Sequence, residues 1–505
     1  MTARIRKALI ITGFAAFAYG SLFLDFIGDD NLPEPKIYVS VMIKQFYSGW
    51  TSSILLFFFF LTSPSLLFAQ ANGETLVLQD VAVLTMATDQ IEEGRTLIIR
   101  DGFIEWMGPA DSAEIPEEAT IIEGPLFVMP GLAEMHAHIP PRMRGRQHME
   151  DTLVLYLANG ITTIRGMLGE EAHLELREKA AHHEIVSPRI FTSGPSFNGN
   201  SVTSEEQGRE MVRQQHAAGY DLLKFHPGLN VAFFDAVTEE ANALGIEFSG
   251  HISHAVGLER SLAAGKGSID HLDRYMEFLA GNPADREDPP IIYFGYDLAF
   301  DADPSRMQEA ALITRDAGVW NVPTNTLLEN VFNPELTPEI MMQWPGMAFI
   351  SKPTAENWAN FVRQTRASEV YDEEQARQFL NLRLQLTRTL HLEGAGLLLG
   401  ADAPQIFNPP GFSVHRELGL LAQAGLSPFE ALETGTVNVA EYLGESEIAG
   451  RIAPGFRADL VLLRANPLQT FPFGDQIEAV IREGHHFSRE TLDELLEGIR
   501  ERAGN

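Results

Sequence analysis

The chain has 505 residues, room for one large domain and a smaller one, and 45% of them are hydrophobic, so packed cores are expected rather than disorder. The 69 acidic residues against 37 basic ones give a formal charge of −32, which argues against nucleic acid, whose phosphates it would repel. There is no cysteine, so disulfides and thiolate metal sites are excluded, and any metal must be held by nitrogen and oxygen.

Two apolar segments come first. Residues 8–24 follow Arg4, Arg6 and Lys7; residues 54–68 follow Lys44 and lead into Ala69-Gln70-Ala71. A basic residue, an apolar core and a small-x-small site form the pattern of a secretory signal peptide. With Met42 just before Lys44, residues 42–71 read as that signal, and 1–41 as an upstream artefact or a membrane segment. A periplasmic or secreted protein is expected. The competing reading is a pair of membrane helices, which would return the remainder to the cytoplasm; Pro64 and the short second core favour cleavage.

From 75 to 122 apolar runs alternate with turn signals such as Arg100-Asp101-Gly102, the pattern of strands. So few strands cannot close a core. The missing ones are found at the other end, in 450–467 and 477–487, so residues 72–130 and 446–487 are expected to form one small discontinuous β-sandwich. Residues 491–502 predict a final helix within 488–505, amphipathic through Leu492, Leu495, Leu496 and Ile499.

Between 131 and 445, short apolar runs alternate with helical patterns. Strands are predicted at 132–136, 161–165, 189–193, 221–225, 247–251, 267–270, 319–323 and 396–400, which suggests a (β/α)₈ TIM-type barrel. In that fold chemistry sits at the carboxyl ends of the strands. Here the first ends in His136 and His138, the fourth carries Lys224, the fifth ends in His251, the sixth in Asp270-His271, and the eighth runs into Asp402. A His-x-His pair on a strand aims two imidazoles at one point, as a divalent metal requires. Each residue has a structural alternative, such as a helix N-cap for Asp402.

The chain contains the pieces PGLAEMHAH, GITTIRGM, GYDLLKFH, GHISHAVGLERSLAAGKGSIDHL, LLLGADAP and GRIAPGFRADLVLL. In these it resembles the amidohydrolase superfamily, in particular its exported or peptidase-like branch related to imidazolonepropionase and Xaa-Pro or Xaa-Arg dipeptidases. The resemblance implies two Zn2+ ions per chain, with His136, His138 and Asp402 on one, His251 and His271 on the other, and Lys224, carboxylated by CO2, bridging them. It further implies hydrolysis of a C–N amide bond by metal-activated hydroxide, with a dipeptide or N-acyl amino acid as the expected substrate and Asp402 as proton shuttle. Gly166 stands where family members often carry Asp, which leaves the substrate contacts open. The alternatives are a mononuclear cyclic-amide hydrolase and a non-enzymatic scaffold on the same fold.

Arg165, His226 and Tyr275 lie near strand ends and are candidate substrate contacts. The long stretches 272–304 and 324–368 are expected as loops that shape the pocket, with Trp344, Trp358 and Tyr371 lining it or packing between helices. The expected partner is a small molecule or dipeptide. Membrane contact is expected only if the first apolar segment is retained, and homo-oligomerisation is left open.

Overall fold

A computed structural model describes residues 75–281 and 294–504. The expected signal peptide and everything upstream of it lie outside the described residues. Among these residues no helix is long and apolar enough to cross a membrane.

The first five strands are β1 (Leu76–Leu84), β2 (Ile91–Arg100), β3 (Phe103–Pro109), β4 (Thr120–Glu123) and β5 (Phe127–Pro130). Seven more follow in the middle of the chain: β6 (Leu132–Ala137), β7 (Ile161–Gly166), β8 (Arg189–Thr192), β9 (Leu222–Phe225), β10 (Glu247–Gly250), β11 (Ser268–Asp270) and β12 (Trp320–Val322). The last three are β13 (Leu460–Leu463), β14 (Ile477–Arg482) and β15 (His485–Ser488).

The two ends of the chain share one sheet, in the order β15-β14-β13-β5-β1-β2-β3, with β4 also paired to β1. The strands expected to form a β-sandwich from both ends are thus hydrogen-bonded into one sheet. Its core draws on both ends: Leu78, Val83, Leu97 and Ile104 pack with Leu460, Leu462 and Ile481. Neither half encloses this core alone. The β2–β3 turn is the two-residue hairpin that Asp101-Gly102 signals, with φ of 50° and 82°. Glu483-Gly484 makes the equivalent turn between β14 and β15. The two hairpin tips touch: a Cβ on Gly102 would sit 3.1 Å from the Glu483 carbonyl oxygen.

In the middle, β6-β7-β8 and β9-β10-β11-β12 form two parallel sheets, with helices in the intervening stretches. Parallel bridges Ser193–Leu222 and Phe197–Phe225 link the β8 end to β9. The predicted strand at 396–400 is not formed as a strand. It makes isolated contacts instead, pairing Leu397 with Asn321 on one side and accepting from Met135 N at Leu399 O on the other. The reason lies in its neighbours. Leu399 N turns to Thr434 O, and the buried Glu134 carboxylate takes Ala401 N at 2.7 Å, so backbone partners that would continue a ladder are diverted.

Of the two stretches expected as loops, the second is largely helical, while the described part of the first holds only short helical segments. Asn325–Phe332 and Lys352–Arg366 fill most of the second, and Tyr275–Leu279 lies in the first. Trp358 packs edge-on to Phe407, the Arg416 guanidinium lies 3.6 Å from the Trp344 ring centre, and Tyr371, just past the second stretch, donates to Phe332 O. The final helix spans Arg489–Ala503, capped by Ser488, with Leu492 and Ile499 buried and Arg502 forked onto Asp151.

Candidate metal centre

Residues i and i+2 of a strand share a face, so β6 directs Glu134, His136 and His138 to one side. The backbone then brings Asp402 opposite: Asp402 N donates to His136 O (3.1 Å) and His138 N to Ala403 O (2.7 Å). Asp402 Oδ1 lies 2.8 Å from His138 Nε2 and 3.4 Å from His136 Nε2. His271, just past β11, places Nδ1 3.7 Å from Asp402 Oδ2. His136, His271 and Asp402 are all buried and offer ligand atoms within 4.8 Å of one another.

The other expected ligands adjoin this group. Lys224 Nζ, fully buried, is 3.5 Å from both His136 Nε2 and Asp270 Oδ2. The His251 ring lies 4.5 Å from that of His271, and its Nδ1 is 3.0 Å from Asp273 Oδ2. Thus the structure brings together His136, His138, Lys224, His251, His271 and Asp402, with His138 joining through Asp402 and His251 through His271.

Of the candidate substrate contacts, Arg165 and Tyr275 are engaged by partners within the protein. Arg165 is buried on β7 and donates to Met135 O, Ser268 Oγ, Asp270 Oδ1 and the Tyr442 hydroxyl, so each of its nitrogens is engaged within the protein. Tyr275 points into the core, its hydroxyl 2.9 Å from Thr314 Oγ1 and 2.8 Å from Asn321 Oδ1. His226 does adjoin the centre, with its ring stacked 5.0 Å from His251.

The electrostatics follow from burial. Desolvation lowers the pKa of His136 to about 4, helped by Lys224, and lowers those of His251 and His271 too. Burial alone would raise Asp402, but His136 and His138 beside it hold its carboxyl well below the usual range. Asp270 is likewise pushed up by burial and pulled well below the ordinary value by His136 and Lys224. Burial also lowers the pKa of Lys224, against the pull of Asp270 and Asp402. Neutral imidazoles beside ionised carboxylates are the protonation states in which these side chains bind a divalent cation, so the donor set fits one.

Several residues at the centre were not singled out by the sequence reading. Asp273 orients His251, Thr324 Oγ1 sits 2.8 Å from His271 Nδ1, and Glu134 bridges β6 to Ala401. Glu134 was legible through its i−2 spacing from His136, and Asp273 through its place two residues beyond His271. Thr324 carries no such signal, because it arrives from another strand end.

Residues 127–486 match the amidohydrolase family, and the chain belongs to it. It is 25% identical over 450 residues to an imidazolonepropionase of Pseudomonas putida, covering 83% of this chain and 96% of that protein. In fold it is similar to bottromycin amidohydrolase (TM-score 0.64, 22% identity, 85% of this chain and 91% of that one). It is also similar in fold to a Xaa-Pro dipeptidase with methionine bound in its active site (TM-score 0.61, 18% identity, 82% of this chain and all of that one).

Proposed function

We propose that this amidohydrolase is a binuclear zinc enzyme that hydrolyses an amide bond in a dipeptide or an N-acyl amino acid. The observation that carries the proposal is the convergence of His136, His271 and Asp402 within 4.8 Å, with the Lys224 amine 3.5 Å from His136. A protonated lysine is a poor neighbour for a cation. A buried, deprotonated amine can instead take up CO2 and become an anionic oxygen ligand, and the lowered Lys224 pKa supports that role. His136, His138 and Asp402 would hold one ion and His251 and His271 the other, with carboxylated Lys224 between them.

Bound there, zinc supplies Lewis acidity toward a carbonyl and acidifies water. The chain's own residues do the rest. Asp402, kept ionised, accepts a proton from the attacking water and passes it to the departing nitrogen. Asp273 holds His251, and the Thr324 hydroxyl holds His271. The proposed scaffold is one (β/α)₈ barrel joining the two parallel sheets through 396–403. It is supported by the bridges Asn321–Leu397 and Ala137–Ala403 and by packing of Met135 with Val322 and Leu398. The small sheet from both ends would be a separate domain, and the apolar run before Ala69-Gln70-Ala71 supports export to the periplasm or medium.

A second reading is a mononuclear enzyme that opens a cyclic amide. It is favoured by the single three-residue cluster that meets a common coordination distance among the described residues, and by the likeness to an imidazolonepropionase. Zinc-loaded protein is to be assayed against dipeptides, N-acyl amino acids and lactams. Turnover of the first two classes is expected; turnover of lactams alone would favour the second reading.

A further inference from the structure

Arg383 enters the centre from the helix Glu373–Leu392, far from any strand end, and is 1% exposed. Its Nη1 donates to His271 O at 2.7 Å and its Nη2 to Pro323 O at 2.6 Å. Those carbonyls belong to residues just past β11 and β12. There the backbone leaves each strand through left-handed conformations rare for residues with a Cβ: φ is 63° at His271, 56° at Leu272 and 48° at Thr324. Such geometry persists only when the surroundings hold it.

The turn at 323–326 is held from two sides. Arg383 takes the Pro323 carbonyl, while Glu417 accepts from Asn325 N at 2.9 Å and Thr326 N at 2.7 Å. Thr324 lies between these anchors and presents Oγ1 to His271 Nδ1 at 2.8 Å. His271 N in turn donates to Val322 O, closing the two strand ends into one hydrogen-bonded unit. We infer that Arg383 is a positioning residue: through the His271 and Pro323 carbonyls it sets the Thr324 hydroxyl that orients the His271 ring in the candidate metal centre. The inference rests on the reading of His271 as a metal ligand.

The alternative is that Arg383 merely satisfies two buried carbonyls. The two roles separate on zinc affinity, measured by competition with a chromophoric chelator on the full chain, alongside the melting temperature of the metal-free form. Arg383→Met and Arg383→Lys are expected to raise the zinc Kd about ten- to a hundredfold, the usual effect of losing a group that orients a ligand. Lys keeps the charge but has no planar fork to span both carbonyls. Thr324→Val is expected to weaken zinc binding similarly, and the double variant Arg383→Met with Thr324→Val to be no weaker than the worse single variant, because both act on one ring.

A zinc Kd within twofold of wild type in folded Arg383→Lys, or fully additive losses in the double variant, would overturn the positioning role. If Arg383→Met does not fold, Arg383→Lys and Thr324→Val decide the matter. His271→Ala binding zinc as tightly as wild type has a different signature: it overturns the ligand reading itself, and the inference with it.

Discussion

His138 Nε2 lies 2.8 Å from Asp402 Oδ1, joining residues 264 positions apart. The contact forms because the His136 carbonyl accepts from Asp402 N and the Ala403 carbonyl from His138 N, which lays β6 beside 401–403. A single carboxylate thereby faces His136, His138 and His271 together.

The first prediction concerns that carboxylate. Asp402→Asn keeps the shape but removes the negative charge and the proton acceptor. Turnover is expected to fall by about 10² to 10⁴, the range typical of a lost general base. Steady-state kinetics on the zinc-loaded variant checks this, and a loss of less than about tenfold would remove Asp402 from the proton-transfer role.

Packing around His136 gives a second. A Cβ on Gly400 would meet Val322 Cγ1 at 2.4 Å and His136 N at 2.9 Å. Gly400→Ala should cost about 1–3 kcal/mol through overpacking and weaken zinc binding, since His136 has to shift. Gly419, inside the helix Phe412–Ala424, has nothing within 4 Å of its would-be Cβ, so Gly419→Ala should stabilise by up to about 1 kcal/mol. Thermal melts of both variants test the contrast, and equal shifts would count against it.

How much was legible in the sequence can be judged from the same residues. The strand-end candidate residues were readable because period-two geometry and a run of strand patterns place them without tertiary knowledge. His136, Lys224 and His271 fall where that reasoning puts them. The internal partners of Arg165 and Tyr275 were not legible, because nearness to a strand end does not say whether a side chain turns toward a pocket or into the interior. The segment at 396–400 reads as a strand by composition, yet Glu134 and Thr434 capture its partners, and no local pattern reveals such competition. Arg383 was invisible for the same reason: its carbonyl partners lie 112 and 60 residues away.

Acid should weaken the metal-free fold. Burial lowers the pKa of His415, whose Nε2 lies 3.0 Å from Asn159 O, from 6.5 to about 4. Between those values the unfolded chain binds a proton that the folded chain refuses, so stability falls as pH drops from about 6.5 toward 4. His136, also lowered to about 4, acts in the same direction. Each such group contributes at most about 1.4 kcal/mol per pH unit within the window. Urea unfolding at pH 7, 6 and 5 should show the decline, with a shallower slope in His415→Gln. Glu417, raised by burial to about 6, acts in the opposite direction, so an unchanged slope in His415→Gln is the result that would contradict a buried neutral His415.

Lys224 separates the binuclear reading from a bland buried lysine. Lys224→Ala should lower the metal content from about two zinc ions toward one or none and collapse turnover, because a bridging anionic ligand is lost. Bicarbonate or a short carboxylate should restore part of the activity. Lys224→Arg should not recover it, since a guanidinium cannot lose its proton to accept CO2. Full activity in Lys224→Arg would sink the carbamate.

The most direct measurement is a zinc titration of chelator-stripped protein, following hydrolysis of a dipeptide or N-acyl amino acid that the loaded enzyme cleaves. The stripped protein should be inactive, and activity should return in proportion to added zinc until about two ions are bound per chain, as a two-ion site with a metal-dependent hydrolase mechanism requires. Undiminished hydrolysis by the stripped protein would contradict metal dependence altogether.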